Sequence, residues 1–280
     1  MKLAASILLL GSTLISSAIA ATAGCGKAPT TLKNGLNTVN INGKNRQYTL
    51  TLPSNYDNTK PHRFVFGLHW RDGTMNSILD GREIRPYYGL PSLVNSPTIF
   101  VAPDGLNRGW ANNGGEDITF LSNIIKTTSD QLCIDEKLRF SMGWSFGGAM
   151  SYSLACSLPN DIRAVAVLSG GPVSGCAGGT GPVAYYGQHG VSDSVLGINL
   201  GRQLRDTFVR NNQCQQQNPP EPNRGSRQNI LTKYNGCAAD KPVWWRAFDG
   251  DHTPIPINGG TNKDSTFTGP GVWEFFSQFG

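Results

Sequence analysis

The chain has 280 residues, 15% of them charged, and a net charge of +5. Its 34 glycines and 17 prolines indicate a loop-rich globular protein and exclude a coiled coil. The basic residues are scattered without a lysine or arginine run, so nucleic-acid binding is not expected.

The first twenty residues have the pattern of a secretory signal peptide. Lys2 supplies the positive charge, and an apolar stretch follows that ends in Ala18-Ile19-Ala20. A second Ala-x-Ala pattern makes residue 23 the latest expected cleavage position. The stretch is marginal in length for a membrane span, and no other long apolar run exists. We therefore predict a secreted, extracellular protein with no membrane association.

The remaining sequence alternates strand and helix patterns. Apolar and polar residues alternate around Asn42-Gly43, which predicts a β-hairpin. Short apolar runs predict buried strands in HRFVFGLHW, PTIFVAPDG, KLRFSMGWS, IRAVAVLSG, PVAYYGQHG and, as the last strand, PVWWRAFDGDH. Helices are predicted in EDITFLSNIIKTTSDQL, GGAMSYSLACSLP, LGRQLRDTFVRNN and GVWEFFSQF. This alternation indicates an α/β protein with a mostly parallel central sheet and helices on both faces.

The organisation is predicted to be simple. No internal repeat or linker is found, so residues 21–280 are expected to form a single domain. Six cysteines in an exported chain imply three disulfides, of which sequence favours only a local Cys214–Cys237 bridge around the stretch NPPEP. The absence of a CxxC pair argues against a zinc site.

A serine surrounded by glycines lies between a predicted strand and a predicted helix. Gly143-Trp144-Ser145-Phe146-Gly147 has the G-x-S-x-G pattern of the nucleophile elbow in the α/β-hydrolase fold. The turn is so tight that side chains beside the serine would collide with the neighbouring elements. Ser145 is therefore the candidate nucleophile, and a serine in an ordinary Gly-rich turn is the alternative.

The fold requires an acid and then a histidine downstream of the serine. Of the four histidines, only His252 lies far enough downstream, in the loop FDGDHTP at the end of the last predicted strand. Asp193 follows the strand that ends at His189-Gly190 and is the candidate acid. It would hold the imidazole tautomer of His252 and stabilise the imidazolium. The rival acids are Asp206, in a predicted helix, and Asp249 and Asp251, which are close to His252 in sequence.

An oxyanion hole needs two backbone amides. One is expected from Phe146, the residue after the nucleophile, and the other from Trp70 or Arg71 in the loop after an early strand. Many lipases and esterases have His-Gly where this chain has His69-Trp70, so Trp70 departs from that pattern. His69 is expected to tie the loop down.

Several long motifs resemble the fungal secreted feruloyl esterases of the type C/D group, in carbohydrate esterase family 1. They are FGLHWRDGTM, YYGLPSL, FVAPDGLNRGWANNGGEDITF, GWSFGGAMSYSLACS, YYGQHGVSDSVL and VWWRAFDGDHTP. The resemblance covers nearly the whole mature chain. It implies the α/β-hydrolase fold, the triad Ser145, Asp193 and His252, and hydrolysis of hydroxycinnamoyl esters on plant arabinoxylan and pectin. No metal, cofactor or carbohydrate-binding module is expected, and the enzyme is expected to be a monomer.

Aromatic residues near the predicted site suit a planar phenolic acyl group. Trp70 and Trp110 are the predicted substrate contacts, with a packing role as an equal alternative for Trp110. Trp110 is expected in an exposed loop because glycines and asparagines surround it. Trp144, inside the elbow, is interpreted as a packing residue. An acetylxylan esterase or a polyester depolymerase with the same triad is the alternative, and a non-catalytic wall-binding protein is the alternative from another class.

Overall fold

The computed structural model describes residues 20–179 and 181–280. The predicted signal peptide therefore lies outside the described residues, apart from Ala20. Thr22 is buried, and its hydroxyl donates to the carbonyl of Leu132 at 2.6 Å and accepts from the amide of Ile134 at 2.9 Å. The first described residues thus form part of the packed structure.

The predicted hairpin is confirmed. Strands β1 (Gly35–Ile41) and β2 (Lys44–Thr51) pair antiparallel across a two-residue turn. Asn42 and Gly43 in that turn have φ of 50° and 80°. Positive φ at both positions is the requirement of a type I′ turn, which Asn-Gly meets at low steric cost.

A nine-stranded sheet forms the centre of the molecule, in the order β1-β2-β4-β3-β5-β6-β7-β9-β8. The pairs from β4 through β3, β5, β6 and β7 to β9 are parallel, whereas β1, β2 and β8 add antiparallel edges. The further strands are β3 (His62–Leu68), β4 (Thr98–Pro103), β5 (Ile134–Trp144), β6 (Ala164–Leu168), β7 (Ala184–Gly190), β8 (Asn229–Lys233) and β9 (Val243–Phe248). The parallel strands place their carboxyl ends at one edge, where α/β sheets bind ligands.

Within residues 20–179 and 181–280, five α-helices cover both faces of the sheet. They are α1 (Met75–Leu79), α2 (Glu116–Gln131), α3 (Phe146–Ser157), α4 (Ile198–Asn211) and α5 (Thr268–Ser277). Because strand side chains alternate between faces, Phe64 and Phe66 pack with α2, α3 and α4, whereas Val65 packs with α1 and α5. The predicted α/β-hydrolase sheet with helices on both faces is confirmed.

Three features differ from the sequence prediction. The short helix α1 (Met75–Leu79) was not predicted, because five residues carry too little helical periodicity. Strand β8 was not predicted, because its five residues are half-buried or exposed and carry no strong apolar run. Val243–Phe248 is not the last strand, since the small hairpin β10 (Pro256–Ile257) and β11 (Gly260–Thr261) follows it. Strand β8 is an edge strand of the central sheet, whereas β10 and β11 form a separate two-stranded sheet of two residues each, and neither leaves a strong apolar pattern in the sequence.

All six cysteines are paired, as Cys25–Cys133, Cys156–Cys176 and Cys214–Cys237. The expected local bridge between Cys214 and Cys237 is confirmed. Three formed disulfides are typical of a protein in an oxidising compartment. Within the described ranges, no helix is both long and apolar enough to span a membrane.

Candidate active site

Ser145 occupies a sharp turn between β5 and α3. Its backbone has φ of 57° and ψ of −120°, a conformation that a non-glycine residue rarely adopts. Its amide donates to the carbonyl of Leu168 at 2.8 Å, and its own carbonyl accepts from Ala149 at 2.9 Å. The strained turn is therefore held from both sides, as expected at a functional site.

The glycines around Ser145 are required by backbone contacts. A Cβ atom on Gly143 would lie 2.4 Å from the carbonyl carbon of Gly147, and one on Gly147 would lie 2.3 Å from the carbonyl oxygen of Leu68. A Cβ atom on Gly148 would lie 2.9 Å from the carbonyl oxygen of Gly143. The turn thus packs helix α3 directly onto β3 and β5, and only glycine fits there.

The three predicted triad residues come together at the carboxyl edge of the sheet. The Nε2 atom of His252 lies 2.8 Å from the Oγ atom of Ser145, and its Nδ1 atom lies 2.7 Å from the Oδ2 atom of Asp193. Because the carboxylate can only accept, Nδ1 carries the proton and Nε2 accepts from the serine hydroxyl. A proton path therefore runs from the serine to the imidazole, which the carboxylate orients.

Asp193 is fully surrounded by donors. Its Oδ1 atom accepts from the amides of Val195 at 3.0 Å and Leu196 at 2.8 Å. Its Oδ2 atom accepts from His252 at 2.7 Å. The Nε2 atom of His189, which donates to the Leu196 carbonyl at 2.6 Å, also lies 3.2 Å from Oδ2. Burial by itself raises the pKa of Asp193, but the contacts of the carboxylate with His189 and His252 outweigh burial and hold the pKa well below its usual range. The carboxylate is therefore ionised at neutral pH.

The loop that follows β3 contains the other candidate amides for the oxyanion hole. Strand β3 lies next to β5, the strand that leads to Ser145. The Trp70 carbonyl accepts from the Nδ1 atom of His69 at 2.7 Å and from the amide of Gly73 at 3.1 Å, which fixes the orientation of the peptide that ends in the Arg71 amide. Within the described residues, the amides of Trp70, Arg71 and Phe146 donate to no acceptor. Three amides thus remain available for a developing oxyanion.

A cavity of about 400 Å³ opens over Ser145 and His252. Trp70 and Trp144 lie edge to face with ring centroids 5.5 Å apart, and the Trp144 ring lies 4.8 Å from that of His252. Apolar side chains complete the wall on the other side: Val173, Val195 and Leu196. Val173 and Val195 are exposed at the rim of the cavity. The cavity therefore suits an apolar, planar group.

Comparison with known proteins decides the family. The chain is 51% identical to feruloyl esterase D of Neurospora crassa over 98% of this chain and 96% of that protein. It is 48% identical to a probable feruloyl esterase C of Aspergillus terreus over 96% and 95% of the two chains. The chain belongs to the feruloyl esterase family. No family model matches the sequence.

Solved structures support the fold of this esterase. An acetyl xylan esterase from Aspergillus awamori matches with a TM-score of 0.63 at 16% identity, over 87% of this chain and 99% of that chain. A CE1 ferulic acid esterase from Anaeromyces mucronatus, in complex with ferulic acid, matches with a TM-score of 0.58 at 16% identity, over 90% and 91%. One scaffold thus carries enzymes named for different acyl groups, so the fold does not select between them.

The prediction that Trp110 is an exposed substrate contact is wrong. Its side chain is fully buried and does not line the cavity of the esterase. Its indole nitrogen instead donates to the carbonyl of His69 at 2.8 Å. The glycines around it allow close backbone packing, as at Gly105, where a Cβ atom would lie 2.1 Å from the Gly109 oxygen. Trp144, interpreted as a packing residue, lines the cavity instead.

His69 has the expected structural role. Its Nδ1 atom donates to the Trp70 carbonyl, and its Nε2 atom accepts from the amide of Gly105 at 2.9 Å. Burial lowers the pKa of His69, which keeps the ring neutral. His69 therefore joins the loop after β3 to the loop after β4.

Two positioning residues of the esterase were not identified from sequence. The Oδ1 atom of Asp251 accepts from the amides of Ser194 and His252, each at 2.7 Å, and so ties the loop of the acid to the loop of the base. The buried hydroxyl of Tyr88 donates to the Leu68 carbonyl at 2.7 Å and accepts from the Trp144 amide at 3.0 Å. The adjacency of Asp251 to His252 was a usable signal, whereas nothing in the sequence around Tyr88 indicates its role.

Within the described residues, no cluster of three or more His, Cys, Asp or Glu could hold a metal.

Proposed function

We propose that this esterase hydrolyses feruloyl and related hydroxycinnamoyl esters on plant cell-wall polysaccharides through Ser145, His252 and Asp193. The observation that carries the proposal is the hydrogen-bonded series from Ser145 to His252 to Asp193 at the floor of an apolar cavity. The identity to named feruloyl esterases supports the acyl group.

The mechanism proceeds in two halves. The Ser145 oxygen attacks the ester carbonyl carbon while Nε2 of His252 takes its proton, and the carbonyl becomes an oxyanion. The amide of Phe146 and one from Trp70 or Arg71 stabilise that oxyanion. The bond to the sugar oxygen then breaks as His252 returns the proton to it, which leaves a feruloyl-serine.

Water completes the reaction. The water oxygen attacks the acyl carbon while Nε2 of His252 takes a proton from the water. The second oxyanion collapses, the bond to the Ser145 oxygen breaks, and His252 returns the proton to that oxygen as the feruloyl product leaves. Asp193 stays ionised throughout and stabilises the imidazolium form of His252.

The walls of the cavity favour an aromatic acyl group over acetate. The methyl group of an acetyl ester is too small to contact Trp70, Trp144 and Leu196 together. The phenylpropenoyl group of a ferulate ester is large enough to occupy the space between these side chains. Aromatic contacts of this kind contribute roughly 0.5–1.5 kcal/mol each beyond area burial. The preference for hydroxycinnamate over acetate is therefore expected in kcat/KM.

The test is hydrolysis of methyl ferulate by the purified mature chain and by Ser145→Ala. The wild type should release ferulate, and Ser145→Ala should lower kcat by roughly 10³-fold or more. Ser277→Ala is the matched control, because this exposed serine on α5 lies outside the cavity. Near-normal activity in Ser145→Ala would refute the nucleophile.

The acyl preference is tested separately. The wild type should show a lower kcat/KM on an acetyl ester and on a polyester film than on methyl ferulate. Failure on methyl ferulate together with activity on an acetyl ester would move the assignment to an acetylxylan esterase with the same triad.

The proposal includes secretion as a monomer. The three disulfides support an extracellular location. Cleavage after Ala20 fits better than cleavage after residue 23, because the latter would remove the buried Thr22 and its two hydrogen bonds. N-terminal sequencing of the secreted protein tests the position, and light scattering tests the monomer.

A further inference from the structure

The cavity over Ser145 continues into an open groove beyond Phe146. Arg71, Asp72 and Phe146 line both the cavity and the first part of the groove, which has a volume of about 310 Å³. The groove has a second part of about 510 Å³, which extends to Gln47 on β2. Residues 106–108 line both parts of the groove. A continuous surface therefore leads from the nucleophile across the carboxyl edge of the sheet.

We propose that this groove binds the carbohydrate chain to which the feruloyl group is esterified, and that the chain it prefers is a neutral glycan. The inference rests on the proposed function and specifies the alcohol side of its substrate. The acyl group and the alcohol diverge from the trigonal carbonyl carbon, so they occupy different parts of the surface around Ser145. With the ring of ferulate against Leu196 and Val195, the sugar points toward Phe146 and the groove.

The groove offers polar side chains that have no partner in the protein. Asn107 and Asn113 are exposed, and within the described residues their side-chain amides form no hydrogen bond. The Arg71 guanidinium lies 5.4 Å from the centre of the Phe146 ring and likewise forms no hydrogen bond to the described chain. An amide both donates and accepts, which matches the hydroxyl groups of a sugar.

The charges along the groove nearly cancel. Its arginines are Arg46, Arg71 and Arg108, and its carboxylates are Asp72, Asp104, Glu116 and Asp117. Arg46 and Asp117 form a buried ion pair at 2.7 Å, and Glu116 is paired with Lys44. A groove without excess positive charge gives no attraction for a polyanionic chain such as a galacturonan. It suits an uncharged glycan.

The loop that carries Asn107 is held in one shape. Asn107 and Arg108 have φ of 51° and 56°, and the Arg108 carbonyl accepts from the Asp72 amide at 2.8 Å. A Cβ atom on Gly109 would lie 2.8 Å from the Phe146 ring, so the loop packs closely on the residue after the nucleophile. A rigid loop presents its polar groups without an ordering cost on binding.

The test uses the double variant Asn107→Gly/Asn113→Ala. Glycine at position 107 accepts the positive φ, so the loop keeps its shape while the side chain is removed. The substrates are methyl ferulate and ferulate esterified to an arabinoxylo-oligosaccharide. The variant should raise KM for the oligosaccharide ester about tenfold, and at least fivefold more than for methyl ferulate.

The control is Asn95→Ala. This exposed asparagine lies before β4, at the amino edge of the sheet and away from the groove, and should alter neither substrate. Equal effects of the double variant on both substrates, or no effect on either, would overturn the proposal. The charge argument would be overturned if the wild type had a higher kcat/KM on a feruloylated galacturonan oligosaccharide than on the feruloylated arabinoxylo-oligosaccharide.

A binding measurement separates this inference from the proposed function. Calorimetry with the unesterified arabinoxylo-oligosaccharide should detect binding to the wild type and at least fivefold weaker binding to the double variant. That result needs no catalysis, so it stands even if methyl ferulate is not a substrate. The absence of binding to the wild type would overturn the groove while leaving the esterase proposal intact.

Discussion

The hydroxyl of Tyr88 accepts a hydrogen bond from the backbone amide of Trp144 at 3.0 Å. The same hydroxyl donates to the carbonyl of Leu68, the last residue of β3. Burial raises the pKa of Tyr88, so the proton needed for that donation is retained. One buried side chain thus joins the strand before Ser145 to the strand before the oxyanion loop.

Tyr88→Phe should therefore affect stability and turnover together. It leaves a buried N–H and a buried C=O without a partner, at a cost of roughly 1–3 kcal/mol each. We expect a lower Tm in thermal unfolding and a lower kcat on methyl ferulate, with a smaller change in KM. Tyr185→Phe is the control, because the buried Tyr185 hydroxyl has no hydrogen-bond partner among the residues that the structure describes. A Tyr88→Phe enzyme with wild-type Tm and kcat would show that the bridge is dispensable.

Gly147→Ala should abolish the elbow. The added Cβ atom would lie 2.3 Å from the Leu68 oxygen, and that oxygen belongs to a buried strand that cannot move aside. Either the chain fails to accumulate, or it folds with activity on methyl ferulate reduced ~100-fold or more. Gly260→Ala, whose Cβ has no neighbour closer than 3.9 Å, is the control and should behave as wild type. Full activity in Gly147→Ala would contradict the geometry described for the turn.

Asp193→Asn should reduce kcat by roughly 10³- to 10⁴-fold, because an amide cannot stabilise the imidazolium of His252. Steady-state kinetics on methyl ferulate measure the effect. Asp249→Asn is a suitable control, because the carboxylate of Asp249 accepts hydrogen bonds from the amides of Gly225 and Arg227 and not from His252. A mild effect of Asp193→Asn would make Asp251 the stronger candidate for the acid.

The same substitution should change how stability depends on pH. The pKa of Asp193 is lower in the folded protein than the value of about 4 in an unfolded chain. Its charge therefore stabilises the fold above about pH 4, and that contribution is lost as the pH falls further. The difference in free energy of unfolding between wild type and Asp193→Asn should narrow from about pH 6 to about pH 2. Denaturant unfolding across that range measures it, and a difference that stays constant would exclude a stabilising carboxylate.

Trp110→Phe should lower the rates on ferulate and acetate esters by the same factor. The indole supports the His69 carbonyl and does not reach the cavity, so its loss disturbs the loop rather than the acyl contacts. Leu196→Ala, which changes the cavity wall, should reduce activity on ferulate selectively. Relative kcat/KM on the two esters makes the comparison. A selective loss on ferulate in Trp110→Phe would restore the role that sequence predicted.

Sequence was sufficient where a local pattern carries a physical requirement. The Asn-Gly hairpin follows from turn geometry, and the glycines at 143 and 147 follow from the crowding at a strand-to-helix turn. The order of serine, acid and histidine narrowed the site to Asp193 and His252, which the fold brings to within 2.7 Å of each other. These inferences needed only spacing and chain order.

Tertiary structure decided what depends on contacts between distant segments. The Gly- and Asn-rich surroundings of Trp110 indicate exposure, yet its ring is buried because the loop folds back onto His69. The roles of Tyr88 and Asp251 depend on pairs that are 56 and 57 residues apart. The sequence by itself determined the main strands and helices and the order of the catalytic residues, because short-range patterns and chain order encode them. The burial of Trp110, the pairings Cys25–Cys133 and Cys156–Cys176, and the groove beside Phe146 were decided by the fold, because only packing brings remote residues into contact.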